Sequence, residues 1–194
     1  MIAGLLLSAG RSTRFGADKL CAKLNGKAVV RLSVRVLAPL DVVYVVIPPS
    51  ADLVTQALSR LDVRFVVNLW RDEGIASSIR AGVAALPDEA EAVVIALGDQ
   101  PLASSAVTKA LCSRWIMGDV SAVAAEYRDG SGHPVLFGRE CFTDLARLEG
   151  DVGGRSILRA LGERAAYISI DSDAPLDIDT PEALADLERS LLVQ

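Results

Sequence analysis

The sequence predicts an α/β protein: a single-domain, doubly wound, mainly parallel sheet with helices on both faces. Three observations carry that prediction. Apolar runs of strand length recur along the 194 residues, helical patterns separate most of them, and the residues rich in chemistry follow the ends of the runs. Hydrophobic residues make up 51% of the chain and the mean hydropathy is +0.35. No run approaches the roughly 18 apolar residues of a membrane span. Strands buried on both faces read as continuous Val/Ile/Leu runs, which accounts for the excess. The length fits one domain, residues 1–194. Such a domain buries roughly 70% of its unfolded surface, so it needs no disulfide or structural metal to fold.

The elements follow in order. Ile2–Leu7 is an apolar run of strand length, stopped by Ser8, Ala9 and Gly10. Val29–Leu37 has helical spacing. Val42–Ile47 is a second strand, ended by the Pro48-Pro49 turn. Ala51–Leu61 reads as helix, Val63–Val67 as strand and Ile75–Leu86 as helix. Ala92–Leu97 is the most hydrophobic strand, followed by the helical pattern Ser104–Met117. Ser121–Ala125 and Ala165–Ile170 are strands on either side of a helix at Gly154–Leu161. Pro181–Leu192 is a C-terminal helix, with Thr180 as N-cap and proline at the first helical position. Residues 126–134, rich in Glu, Arg, Asp and Gly, read as a mobile loop over the acceptor side. No repeat, low-complexity stretch or linker interrupts the alternation, which argues for a parallel sheet.

Charge and cysteine usage narrow the partners. The net charge is −5, which argues against a nucleic-acid-binding surface. The N-terminus has no basic residue before its apolar stretch, so it does not read as a signal peptide. Cys21, Cys112 and Cys141 are far apart and form no CxxC pair. The expectation is a cytoplasmic protein with no nucleic-acid and no membrane partner.

In open α/β sheets, ligands bind beyond the carboxyl ends of the strands. Three informative segments fall there: Ser8 to Lys19 after the first strand, Asn68 to Gly74 after the third, and Gly98 to Pro101 after the fourth. The first is a glycine-bearing loop that presents backbone N–H groups together with Arg11, Arg14 and Lys19. Such concavities bind phosphate, and fixed cations add charge-assisted hydrogen bonds. A polyphosphate is the guest this predicts. The loop has neither P-loop nor dinucleotide-fold spacing. Asp99, at the edge of a dry core, is the first candidate ligand for Mg²⁺, a cation held by one or two carboxylates plus substrate phosphates. Its plain alternative is a turn aspartate.

Leu7-Ser8-Ala9-Gly10-Arg11-Ser12-Thr13-Arg14-Phe15-Gly16-Ala17-Asp18-Lys19 resembles the signature of the molybdenum cofactor nucleotidyltransferases. Ser8 stands where alanine is usual and Phe15 where methionine is usual. Gly98-Asp99-Gln100-Pro101 matches that family's metal-binding motif residue for residue. Further resemblances run through Asn68 to Gly82, including Trp70, Gly74, Ser77 and Ser78, and through Gly132 to Phe137, Gly150 to Arg155 and Asp177 to Glu182. Gly154 replaces an alanine. These motifs span essentially the whole chain in family order.

The resemblance implies a Rossmann-like nucleotidyltransferase fold and a magnesium-dependent nucleotidyl transfer, with Mn²⁺ as the alternative metal. Arg14, Lys19 and Asp99 would be catalytic. Leu7, Ser8, Ala9, Gly10, Arg11, Ser12, Lys19, Asn68, Ser77, Ser78, Gly98, Asp99, His133 and Arg155 would line the nucleotide and acceptor sites. Asp99 and Asp177 would bind the metal; Asp179 is the competing choice, placed second because a capping role already explains it. Ser77 and Ser78 fit helix caps as well as ligand contacts. His133 fits the acceptor side or a structural role, Asp151 fits a helix cap, and Arg155 fits an acceptor-phosphate clamp.

Within the family, Ala-Gly in the first loop accompanies CTP and Gly-Gly accompanies GTP. Ala9-Gly10 therefore points to CTP, with molybdopterin as acceptor and a molybdoenzyme as client. The alternatives are guanylyl or other nucleotidyl transfer to a different phosphorylated acceptor, and a non-catalytic nucleotide- or cofactor-binding module.

Overall fold

Leu5 and Leu7 lie on one face of the first strand and Leu6 on the other, and both faces are covered by helices. That alternation is what a doubly covered strand requires. A computed structural model describes residues 1–11, 15 and 18–192. The strands are β1 (Ile2–Leu7), β2 (Lys23–Leu24), β3 (Lys27–Ala28), β4 (Val42–Ile47), β5 (Arg64–Val67), β6 (Ala92–Leu97), β7 (Ala122–Tyr127), β8 (Gly130–Gly138) and β9 (Ala165–Ser169). The helices are α1 (Val29–Ser33), α2 (Asp52–Leu58), α3 (Ile75–Ala84), α4 (Ser105–Ile116), α5 (Phe142–Leu145), α6 (Arg155–Leu161) and α7 (Pro181–Leu192).

Seven strands form one sheet in the order β5-β4-β1-β6-β8-β7-β9, while β2 and β3 make a small separate hairpin. Pairing is parallel from β5 through β6 and again between β7 and β9. Only β8 runs against its neighbours. One face packs against α1, α2 and α4 through Val30, Val54, Leu58 and Leu111. The other packs against α3, α5 and α6 through Ile79, Leu145, Ile157 and Leu158. A third cluster joins Leu24 and Val29 to Ile178 and Leu187, seating α7 against the small hairpin. Each fully buried leucine of β1 contributes roughly 1.5–3 kcal/mol. No helix among the described residues is long and apolar enough to cross a membrane.

The fold class is as the sequence predicts, and β1, β4, β6 and α7 occupy the expected residues. Two local expectations are corrected and two short elements are added. The helix expected over 29–37 is α1 followed by a tighter 3₁₀ turn at Val34–Leu37. The short helix α5 and the β2–β3 hairpin were not foreseen. Residues 126–134 are not a loop: they belong to the end of β7, a two-residue turn, and the start of β8. The glycines and proline of Gly130–Pro134 imitate a loop in the sequence, because both residue types are normally depleted in strands. The structure absorbs them at an irregularity. Ala124 of β7 pairs with Val135, but Ala125 pairs with Gly132, so His133 and Pro134 bulge out of the ladder. Pro134 thus has no ladder hydrogen bond to lose.

Candidate active site

Three backbone hydrogen bonds carry the sheet one residue past its strands. Ser8 N donates to Val46 O (2.9 Å), Asn68 N to Ile47 O (2.8 Å) and Gly98 N to Leu7 O (2.9 Å). The residues that follow therefore gather at the carboxyl rim of the parallel strands. There they border a cavity of about 700 Å³ lined by Leu7, Ser8, Ala9, Gly10, Arg11, Lys19, Ser78, Leu97, Asp99, Asp151 and Asp179, among others.

Lys19 is fixed by local structure. It opens a 3₁₀ turn, Lys19–Cys21, capped by Asp18, whose Oδ1 accepts from Leu20 N, and Leu20 is buried. The turn aims Nζ between two carboxylates, 2.6 Å from Asp99 Oδ2 and 2.8 Å from Asp179 Oδ1. Lys19 and Asp99 are largely shielded from water, with 12% and 21% of their side chains exposed. Burial opposes the ammonium charge, but the hydrogen bonds to Asp179 and Asp99 outweigh it and hold the lysine pKa above its ordinary value. Asp99 belongs to the turn after β6, and Asp179 reaches the same point from the segment after β9.

Thr180 caps α7 as the sequence predicts, its Oγ1 accepting from Ala183 N, while the Asp179 carboxylate meets Lys19. Asp177, preferred from the sequence as a metal ligand, accepts from Gln100 Nε2 (2.9 Å) and is not among the residues that line the cavity.

Asn68, Ser77 and Ser78 form a buried polar knot. Asn68 Nδ2 donates to both serine hydroxyls, at 2.9 and 3.0 Å, while its Oδ1 accepts from Trp70 N. Ser77 Oγ donates to Gly74 O, so Asn68 and Ser77 shape the loop and only Ser78 borders the cavity. Neither serine is the N-cap of α3. Gly74 holds that position, with φ +89°. A Cβ on Gly74 would come within 2.5 Å of Gly150 O, so the Gly150-Asp151 segment rests directly on this glycine. Asp151 thereby becomes a wall of the cavity.

Arg11 Nη2 reaches across the opening to Asp72 Oδ1 at 2.7 Å. Both side chains are more than half exposed, so the pair is worth little to stability. Ser8 is buried, and its hydroxyl finds no hydrogen-bond partner among the described residues. Gly98 packs behind it, since a Cβ there would lie 2.4 Å from Ser8 Oγ. Ser12 and Arg14 lie outside the described residues.

His133 lies within electrostatic reach of both Asp99 and Arg155, and neither His133 nor Arg155 is among the residues that line the main cavity. The bulge in β8 presents His133 at this rim, in keeping with the habit of bulges to re-aim a side chain beside a site. Burial drives the pKa of the partly buried imidazole down to about 4, with Asp99 opposing and Arg155 assisting the shift. His133 is therefore neutral near pH 7. Its carbonyl accepts from Tyr127 Oη (2.8 Å), and Arg155 Nη2 donates to Ser131 O (3.1 Å). The three thiols, Cys21, Cys112 and Cys141, all have raised pKa values, chiefly through burial, which leaves them protonated and weakly nucleophilic.

Sequence reasoning missed Asp72, read Asp151 only as a helix cap and placed Asp179 second to Asp177 as a metal ligand. Asp179 alone carried a usable signal, its place two residues after Asp177 in the Asp-Ile-Asp-Thr-Pro segment.

The chain is similar along its length to known proteins. The purine catabolism protein PucB of Bacillus subtilis (strain 168) is 26% identical over 97% of this chain and 96% of its own length. The solved homologue of Mycobacterium tuberculosis Rv0371c from Mycobacterium sp. strain JC1 is 26% identical, with a TM-score of 0.86 over 99% of this chain and 97% of that one. The manganese complex of Rv0371c from Mycobacterium tuberculosis H37Rv is 27% identical, with a TM-score of 0.83 over 97% of this chain and 98% of that one. Residues 4–165 match the MobA-like NTP transferase domain, and the chain belongs to that family of nucleotidyltransferases.

Proposed function

We propose that the protein transfers CMP from CTP to the terminal phosphate of molybdopterin, releasing pyrophosphate. The observation that carries this reading is the Asp99–Lys19–Asp179 cluster at the strand rim, which borders one cavity with Ala9, Gly10 and Arg11. An acceptor phosphate oxygen attacks the α-phosphorus in line. The bond from that phosphorus to the oxygen bridging to the β-phosphate breaks, and its electron pair leaves with pyrophosphate. An anionic nucleophile needs no strong base, which matches a rim whose nearby histidine is a weak base and a cavity with no cysteine among its described lining residues. Catalysis then rests on positioning and charge neutralisation.

Lys19, Arg11 and Arg14 would hold the triphosphate and the departing pyrophosphate. Ser78, Ala9 and Gly10 would floor the base, and the Ala9 methyl narrows that floor against a purine. His133 and Arg155 would face the acceptor. The donor set at the rim is two carboxylates. That set fits a small divalent cation which keeps waters and takes its other ligands from phosphate. Asp99 and Asp179 would hold Mg²⁺ or Mn²⁺, which when bound offsets charge at the α-phosphate. The manganese bound by the Rv0371c relative supports a divalent metal. Delivery to a molybdoenzyme client in the cytoplasm completes the reading, and none of the three cysteines is paired.

Calorimetry with CTP, GTP and ATP in the presence of Mg²⁺ tests the donor. CTP is expected to bind most tightly, and a GTP preference would move the assignment to guanylyl transfer. Pyrophosphate release tests the acceptor: it is expected with molybdopterin. Release only with a sugar phosphate would replace the pterin, and binding without release would leave a carrier module.

A further inference from the structure

Two stretches far apart in sequence are tied together behind the carboxylate pair. Ile178 N donates to Asp99 O at 2.9 Å. Gln100 Nε2 donates to Asp177 Oδ1 at 2.9 Å and to Pro175 O at 3.3 Å. Gln100 is 5% exposed and Ile178 is fully buried against Leu24, Val29 and Leu187. These bonds act on the functional residues or their immediate neighbours: Asp99 O accepts one of them, Gln100 follows Asp99, and Asp177 and Ile178 precede Asp179. Fixing Gln100 to Asp177 therefore fixes the distance between the Asp99 and Asp179 carboxylates.

The geometry points to Gln100 and Asp177 as a positioning pair. We propose that their hydrogen bond sets the two rim carboxylates at the spacing of a single cation, and that Asp177 is not itself a metal ligand. This rests on the reading that Asp99 and Asp179 hold the divalent metal. The physical reason is that a carboxylate on an otherwise irregular segment, residues 171–179, has no ladder to hold it. Residues that orient a ligand from behind commonly change metal affinity by about 10- to 100-fold when removed.

The test is Mn²⁺ binding to the full chain, followed by electron paramagnetic resonance of the free ion, with thermal melting to confirm folding. Asp99→Asn and Asp179→Asn are expected to weaken binding by more than about 100-fold. Gln100→Met and Asp177→Ala are expected to weaken it by about 10-fold. Asp177→Asn keeps an oxygen to accept from Gln100 and is expected to bind within about 2-fold of the parent. The Mn²⁺ concentration for half-maximal turnover should rise in Asp177→Ala, with the maximal rate recovered at saturation. A purely structural role would not give that split.

If Asp177→Asn loses binding as Asp179→Asn does, Asp177 is a ligand and the proposal is overturned. If Asp177→Ala and Gln100→Met bind like the parent, the positioning role is overturned. If Asp99→Asn and Asp179→Asn bind like the parent, or the parent binds no Mn²⁺, the metal reading itself fails and the pair loses its purpose with it.

Discussion

The two halves of the sheet bring side chains to the same rim by different means. In the half made of β5, β4, β1 and β6, every strand runs the same way, so the residue after each strand arrives at the rim automatically. Ser8, Asn68 and Gly98 are all placed by one more ladder hydrogen bond. In the half made of β8, β7 and β9, one strand is reversed, and it is the first residues of β8 that reach the rim. His133 gets there through a bulge, and Arg155 through the first turn of α6. On the proposed reading, the regular half would form the floor for the nucleotide, and the irregular half would supply the groups that face the acceptor. Topology alone positions chemistry in the first half, whereas the second needs a local departure from regular structure.

Variants can break or sharpen this contrast. The largest effect belongs to the regular half and should be kinetic. Lys19→Met and Asp99→Asn are each expected to lower the rate of pyrophosphate release by at least about 10³-fold with little change in thermal midpoint. Near-parental rates in either would remove the rim cluster from the mechanism. Because Lys19 occupies the space between both carboxylates, Lys19→Met should also bind Mn²⁺ alone more tightly than the parent.

The next effect belongs to the irregular half and should be thermodynamic. A Cβ on Gly154 would approach the ring of buried Phe137 in β8 to 2.5 Å. Gly154→Ala should therefore destabilise by up to about 3 kcal/mol through overpacking, with part recovered by adding Phe137→Leu. Denaturant midpoints measure both, and an unchanged midpoint for the single variant would show that the ring moves freely.

A pH effect of about 2 kcal/mol is expected from His133. Its folded pKa of about 4 lies below the ordinary 6.5, so the unfolded chain binds more protons between those values. The stability tied to neutral His133 is present above pH 6.5 and lost as pH falls through 4. Unfolding of the parent and His133→Gln at pH 7 and 4.5 should show a steeper acid loss in the parent, and parallel profiles would argue against a desolvated imidazole.

The smallest effect is on donor choice. Ala9→Gly, which removes one buried methyl from the cavity wall, should shift the CTP-to-GTP affinity ratio by about tenfold toward GTP. An unchanged ratio would locate base selection elsewhere.

Legibility in the sequence followed the same division. β1, β4 and β6 are uninterrupted apolar runs, so both their boundaries and the residues beyond them could be read directly. Lys19, Asp99 and the Ser8–Gly10 turn come from that half, and the structure brings them together. β8 was hidden because Gly130, Gly132 and Pro134 carry loop chemistry inside a strand. Asp179 was obscured by a competing local explanation, since Asp-Thr-Pro-Glu reads equally well as a helix start. Only the three-dimensional contact with Lys19 separates the capping threonine from the aspartate beside it. The Arg11–Asp72 and Gly74–Gly150 contacts join segments with no shared pattern, and no sequence period announces them.

The single reversed strand has an evolutionary consequence. Because β8 begins where its neighbours end, the turn before it can vary in length and composition without touching the register of β1 or β6. On the proposed reading, a descendant of this chain could exchange one recipient molecule for another by rewriting residues 127–133, while inheriting its triphosphate chemistry intact.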